Sequence, residues 1–266
     1  KQFRRGKKVA VSIGIKAANY EHLVFTDADC YPASENWLKN IGGNFSEKKD
    51  FILGFGAYEN KKGLLSKLVN YDTINIAMTY GGMAKRIKPY MGVGRNLAYK
   101  KTLWYEVGGF RKFSDSLSGD DDLFVNYFAN RKNTKVVFNK EAKTISKPPE
   151  SVYSWIKQKS RHISGSSHYK KRLKFLLASD TITGFLSPVA LASWYFVAPN
   201  IYYFVAAASA LLLIRLIHSF NLYKFSKLTG EKNMILISPF FDVFLPIFYF
   251  IFVILAKMQG SKKTWK

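Results

Sequence analysis

Two apolar runs constrain this chain more than any other feature. From Phe185 to Ile214 no side chain carries a charge, and from Met234 to Ala256 the only charge is Asp242. Each run exceeds the roughly 18 residues that mark a candidate membrane span. Aromatic-rich stretches of this length seldom sit inside soluble domains, so residues 181–266 read as a membrane-associated region with a basic tail. The first run has two layouts open to it. Pro199-Asn200 turns it into a hairpin of two short spans, or it forms one tilted helix. The second run contains Pro239, Asp242 and Pro246, so after a hairpin it is broken, re-entrant or interfacial, whereas after one tilted helix it crosses back; both layouts stay open.

Charge sharpens this reading. Lys and Arg outnumber Asp and Glu 41 to 18, for a net charge of +23. Such a balance suits either nucleic acid or an anionic membrane surface. Here the basic residues bracket the apolar runs: Lys170, Lys171, Arg172 and Lys174 before, Lys224, Lys227 and Lys232 between, Lys257, Lys262, Lys263 and Lys266 after. No nucleic-acid-binding module is recognisable, so the membrane is the expected partner and nucleic acid is not. Basic loops favour the cytoplasmic side. The lone Cys30 excludes a disulfide framework and a multi-cysteine zinc site. Disorder is excluded by a hydrophobic fraction of 48%.

Residues 1–150 alternate short apolar runs with helical spacing. His22–Thr26, Phe51–Phe55, Arg95–Tyr99 and Val136–Phe138 read as strands. Asn36–Ile41, with Ser34 as an N-cap type residue, Leu64–Met78 and Asp120–Ala129 read as helices. This alternation predicts an open, mostly parallel α/β sheet with ligands beyond the carboxyl ends of its strands. Residues 151–180 bridge to the membrane region. They are basic, and Val152, Trp155, Ile156 and Ile163 form the apolar face of an amphipathic helix suited to a membrane surface.

Three motifs carry chemistry. Thr26-Asp27-Ala28-Asp29-Cys30 delivers two carboxylates to the end of a buried strand, as hard cations such as Mg²⁺ or Mn²⁺ require. Ser118-Gly119-Asp120-Asp121-Asp122-Leu123 places three adjacent acids at a helix start. Their mutual repulsion raises at least one pKa and suits a general base. Gln158-Lys159-Ser160-Arg161-His162 puts Gln158 and Arg161 on one helix face, with a guanidinium fork matched to phosphate.

In this order, and followed by membrane spans, the motifs resemble those of family 2 glycosyltransferases of the GT-A fold, of the membrane-bound bacterial type. Gly6-Lys7-Lys8-Val9-Ala10, Met91–Ala98 and Gly108-Gly109-Phe110 resemble further family segments. The resemblance implies a metal held by Asp27 and Asp29 and a catalytic base at Asp120. It implies donor-pyrophosphate contacts from Lys7, Gln158, Arg161 and His162, and acceptor contacts from Arg95, Asn96 and Asp121. The implied reaction is an inverting, metal-dependent transfer of the hexosyltransferase type. It runs from a UDP- or GDP-sugar to a saccharide or lipid-linked acceptor, in polysaccharide or glycolipid synthesis. The implied location is the cytoplasmic face of a cell (inner) membrane, in a multi-pass protein.

The sequence also departs from the family pattern. His162 replaces the tryptophan linked to processive enzymes. Gly119 replaces a glutamate, which leaves Asp121 as a rival base. Ser12 stands where asparagine is common. The chain opens at Lys1 without the family's first strand. The expectation is therefore a partial GT-A domain over 1–150 that lacks its first strands and is inactive alone. Two other readings remain open: a metal-dependent membrane phosphotransferase, though no Gly-x-x-x-x-Gly-Lys-Ser/Thr loop is found, and a non-catalytic membrane scaffold.

Overall fold

A computed structural model describes residues 7–114, 116, 119–197 and 200–259. Gly6, Ser118, Pro199, Lys262, Lys263 and Lys266, singled out above, lie outside the described residues. The chain starts with helix α1 (Lys7–Ala17), strand β1 (His22–Phe25), strand β2 (Cys30–Pro32) and helix α2 (Trp37–Gly42). Strands β3 (Phe51–Leu53) and β4 (Gly56–Tyr58) follow, then the long helix α3 (Leu64–Arg86). Strand β5 (Leu97–Lys100), helices α4 (Lys101–Glu106) and α5 (Asp122–Phe128), and strands β6 (Thr134–Val136) and β7 (Thr144–Ser146) complete a mixed α/β unit. Helix α6 (Val152–Gly165) bridges to three long apolar helices: α7 (Lys171–Val197), α8 (Ile201–Thr229) and α9 (Ser238–Gln259).

The strands form two small sheets, ordered β1-β5-β3-β6 and β2-β7-β4. Among the described residues β5 runs antiparallel to both its neighbours and β2 antiparallel to β7. Only β3–β6 and β4–β7 are parallel. The mostly parallel sheet expected from the alternation is therefore corrected to a mixed one. The reason lies in α3. After this helix, residues 87–96 reverse the chain once more, so β5 enters between β1 and β3 from the opposite end. Alternation of strands and helices says nothing about such an extra reversal.

The core explains the local elements. Phe51, Ile52 and Leu53 of β3 are wholly buried, as an apolar run with neighbours on both faces demands. Phe51, Tyr99 and Phe124 pack with ring centroids 4.7–6.0 Å apart, joining β3, β5 and α5. Ser34 precedes α2 without being its N-cap, a position held by Asn36, and does not bond an amide of the helix itself. Its Oγ accepts from the Asn36 N–H at 3.2 Å and donates to the Glu141 carbonyl at 2.9 Å.

Among the described residues, three helices are long and apolar enough to cross a membrane: 171–196, 201–229 and 238–255. The first run of the sequence thus becomes two helices rather than one. Asn200 caps the second of them, its side chain accepting from the Tyr202 N–H at 3.1 Å. Together the two helices reach beyond the charge-free run at both ends, because each extends into its basic flank. Of the layouts open to the second run, a broken helix is not the one formed: from Ser238 onward the run is one continuous helix, α9, with Pro246 inside it. Flanking residues pack this helix along one side, and Asp242 is paired rather than exposed.

Candidate active site

Three segments distant in sequence converge through one ammonium group. Lys7 Nζ at the start of α1 lies 2.8 Å from Asp27 Oδ1 and 3.2 Å from Asp120 Oδ2. Burial opposes the lysine's charge, but Asp120, Asp121 and Asp27 outweigh it and hold the pKa above its ordinary value. The next residue braces the same region. Lys8 Nζ donates at 2.6 Å to the carbonyls of both Phe113 and Ser116, ahead of the acidic motif.

The three acids of that motif occupy different environments. Asp120 is buried, and burial together with the neighbouring Asp121 charge raises its pKa to about 6, against the pull of Lys7. Asp121 caps α5. One of its oxygens accepts from the Asp122 N–H and the other from the Gly94 N–H, both at 2.8 Å. Gly94 must be glycine for this approach, because a Cβ there would sit 2.8 Å from Lys7 Nζ and 2.9 Å from Asp121 Oδ2. Gly119 turns the chain into the motif at φ +107°, a conformation open chiefly to glycine. Asp122 accepts from the Tyr169 hydroxyl at 3.2 Å. Burial and Asp121 raise its pKa to about 7. Both Asp121 oxygens are thus engaged by backbone amides, which suits a brace better than a base. Asp120 faces the ammonium instead.

Asp27 is half-buried and Asp29 exposed at the end of β1, and Asp29 accepts a weak bond from Cys30 Sγ at 3.6 Å. Among the described residues no group of three or more His, Cys, Asp or Glu side chains forms a metal-ligand set. Two hard carboxylates nevertheless fit an ion such as Mg²⁺, which characteristically takes one or two protein carboxylates and completes its shell with substrate phosphate and water. The Lys7 ammonium beside Asp27 shows that this position tolerates a cation.

The α6 motif reaches the same region through aromatic and cationic side chains. Tyr58 Oη donates to Gln158 Oε1 at 3.3 Å, and the Arg95 guanidinium stacks 4.3 Å over the Tyr58 ring. Arg95 also donates to the Ala57 carbonyl at 3.3 Å and Ser146 Oγ at 3.0 Å. Arg161 and His162 are exposed on α6. Desolvation of the His162 imidazole, then the charges of Lys159, Arg161, Arg95 and Lys7, lower its pKa to about 3. The imidazole is therefore neutral at neutral pH, a state in which one ring nitrogen donates a hydrogen bond and the other accepts one.

Asn96 is not brought to this surface. It is wholly buried, donating to the Phe55 and Ala142 carbonyls at 2.9 and 2.7 Å and accepting from Trp37 Nε1 at 3.2 Å. Its amide organises the two sheets. Sequence reasoning passed over Tyr58, Tyr169 and the pair Asp72–Lys159. Asp72 lies on α3 with its carboxylate buried, ion-paired to Lys159 and accepting from Tyr249 Oη at 2.7 Å. The one available signal was an acid on an otherwise core-facing helical stripe.

A polar site rich in acids and lysine, set on a mixed α/β unit and joined to three apolar helices, defines a membrane-associated α/β protein. The family model described as glycosyl transferase family group 2 matches residues 22–256, nearly the whole chain, and the protein belongs to the family 2 glycosyltransferases. No curated protein matches it.

Proposed function

We propose that this glycosyltransferase moves a sugar, with inversion, from a UDP- or GDP-sugar to a saccharide or lipid-linked acceptor at the cytoplasmic face of a membrane. The observation that carries this reading is the meeting of Lys7, Asp27 and Asp120 at one point, with Arg95 and the α6 motif close by. A carboxylate with a pKa near 6 is ionised at neutral pH yet basic enough to accept a proton from an acceptor hydroxyl. Lys7, released from its acids by an incoming diphosphate, and Arg161 stabilise the charge that develops on the leaving nucleotide. Asp27 and Asp29 would hold a divalent ion, whose chemistry is to neutralise the same diphosphate. Gln158 and Tyr58 orient the α6 face toward that group, and Arg95 lies where an acceptor approaches Asp120.

The test uses the whole chain in lipid nanodiscs, supplied with a panel of nucleotide sugars and either Mg²⁺ or Mn²⁺. Release of nucleoside diphosphate should depend on the metal and fall sharply in Asp27→Ala and Asp29→Ala. Metal-independent release that both variants retain would defeat the metal assignment. Retention of anomeric configuration in the product would defeat direct displacement by an acceptor hydroxyl that Asp120 deprotonates.

A further inference from the structure

We propose that α9 does not cross the membrane but lies along its surface. It would form, with α6, a platform between the catalytic unit and the lipid, leaving α7 and α8 as a single hairpin of two crossings. The inference rests on the membrane reading alone and is independent of glycosyl transfer.

The observations concern what covers α9 along its length. Phe241, Asp242, Leu245 and Phe252 are buried, with Phe248 and Tyr249 packed beside them. These positions form one helical stripe. Near its start, the Tyr71 hydroxyl of α3 donates to Asp242, and the Tyr71 and Phe241 rings lie 5.3 Å apart. In its middle, Tyr249 Oη donates to Asp72 at 2.7 Å. Further on, the Trp155 ring of α6 packs 5.3 Å from Phe248 and 5.1 Å from Phe252, and Ser160 Oγ donates to the Phe252 carbonyl at 3.4 Å. From 242 to 252 the axis advances ~15 Å, at about 1.5 Å per residue. Over all of that length α9 stays against α3 and α6.

A crossing helix is incompatible with these contacts. Residue 252 would sit ~21 Å beyond residue 238, past the middle of a hydrocarbon core about 30 Å thick. The α6 helix would follow it there, taking the Lys159–Asp72 ion pair and the neighbouring Arg161 into lipid at a cost of several kcal/mol per charge. By contrast, none of the most apolar window of α7 or of α8 is buried in the protein, as expected of helices facing lipid.

The outer face of α9 carries Phe240, Phe244, Phe250 and Ile254, all exposed. Its occupant is the boundary between headgroups and acyl chains on the catalytic side of the bilayer. Two features argue for this occupant. The face is continuous with α7, which packs on α9 at Gly184 and Pro246. Basic Lys170, Lys171, Arg172 and Lys174 lie at the start of α7, on the side of the bilayer from which α7 enters, and complement anionic headgroups there. Two crossings also return the basic end of the chain to the side of the other basic loops.

The experiment places single cysteines in a Cys30→Ser background of the full chain, in sealed vesicles of both orientations, with a membrane-impermeant maleimide. Lys61→Cys and Gln259→Cys should react from the same side, and Tyr202→Cys from the other. Reaction of Gln259→Cys from the side of Tyr202→Cys overturns the proposal, as does reaction of all three from one side. A second measurement attaches an environment-sensitive fluorophore at Phe240→Cys, Phe250→Cys and Ile254→Cys. Spin labels near the headgroups should quench all three about equally. Strongest quenching of Phe250→Cys by a label at the bilayer centre would refute the in-plane placement.

Discussion

Replacing Asp120 by asparagine separates what the carboxylate does for chemistry from what it costs the fold. The group titrates at about 6 rather than the ordinary 3.8 because it is buried beside Asp121. With about 1.36 kcal/mol per pH unit, its ionisation in the folded protein costs ~3 kcal/mol more than in the unfolded chain. The sign follows from proton binding. Below pH ~4 both states hold the proton and the site is neutral to stability. Between pH ~4 and ~6 the folded state holds more protons, so stability falls as pH rises. Above pH ~7 the full cost is present. Asp120→Asn removes it, so the variant should match the parent near pH 4 and exceed it by ~3 kcal/mol near pH 8. For a protein of this size that corresponds to ~6–12 °C in Tm. Transfer should meanwhile fall by about 10²- to 10⁴-fold, the usual contribution of a general base. The assay is a pair of thermal unfolding series in nanodiscs, from pH 4 to 8, alongside nucleotide-release kinetics. Parallel Tm curves for variant and parent across this range would refute the burial argument. An undiminished rate would refute the base assignment.

Lys7→Met removes the cation that pulls the Asp120 pKa down, so the acid limb of the kcat/KM profile should move to higher pH and the rate should fall on the order of 10-fold or more. Tyr169→Phe deletes the hydroxyl that donates to Asp122, and should cost ~1–3 kcal/mol near pH 8, where Asp122 is charged, but less near pH 5; Tm at the two values reads the difference. Lys159→Met strands the buried Asp72 charge and should destabilise by ~3–5 kcal/mol, whereas the double variant Lys159→Met/Asp72→Asn should recover most of the loss in the same unfolding assay.

Much of this was legible in one dimension. Apolar runs marked β1, β3 and β5 to within a residue or two, and β3 and β5, buried on both faces, must be apolar whatever their neighbours. The helical spacing of Leu64–Met78 located α3 but missed its last two turns, since Gly81, Gly82 and the basic Lys85-Arg86 end do not look like core. The helical spacing of Asp120–Ala129 predicts that Leu123, Tyr127 and Phe124 face inward; Leu123 and Phe124 are wholly buried and Tyr127 partly so, and Trp155 anchors the apolar face of α6. Helix α1 went unseen, and so did strands β2, β4 and β7, whose three residues each carry too little period to read. Asn96 reads like a ligand-binding residue beside Arg95, yet the structure uses its amide on buried carbonyls. A polar side chain looks the same in sequence whether a ligand or the backbone satisfies it.

The sequence by itself determined the class of protein: a basic α/β unit with ordered acidic and Gln-x-x-Arg motifs, followed by segments too apolar to remain in water. Those properties reside in composition and local spacing, and survive any rearrangement of the parts. Only the tertiary structure decided which groups meet. It brought Lys7 to Asp27 and Asp120, assigned both oxygens of Asp121 to backbone amides, ran β5 antiparallel between β1 and β3, and laid α9 against α3 and α6. Periodicity tells which face of an element must be covered. What covers it is settled by contacts between residues tens to more than a hundred positions apart.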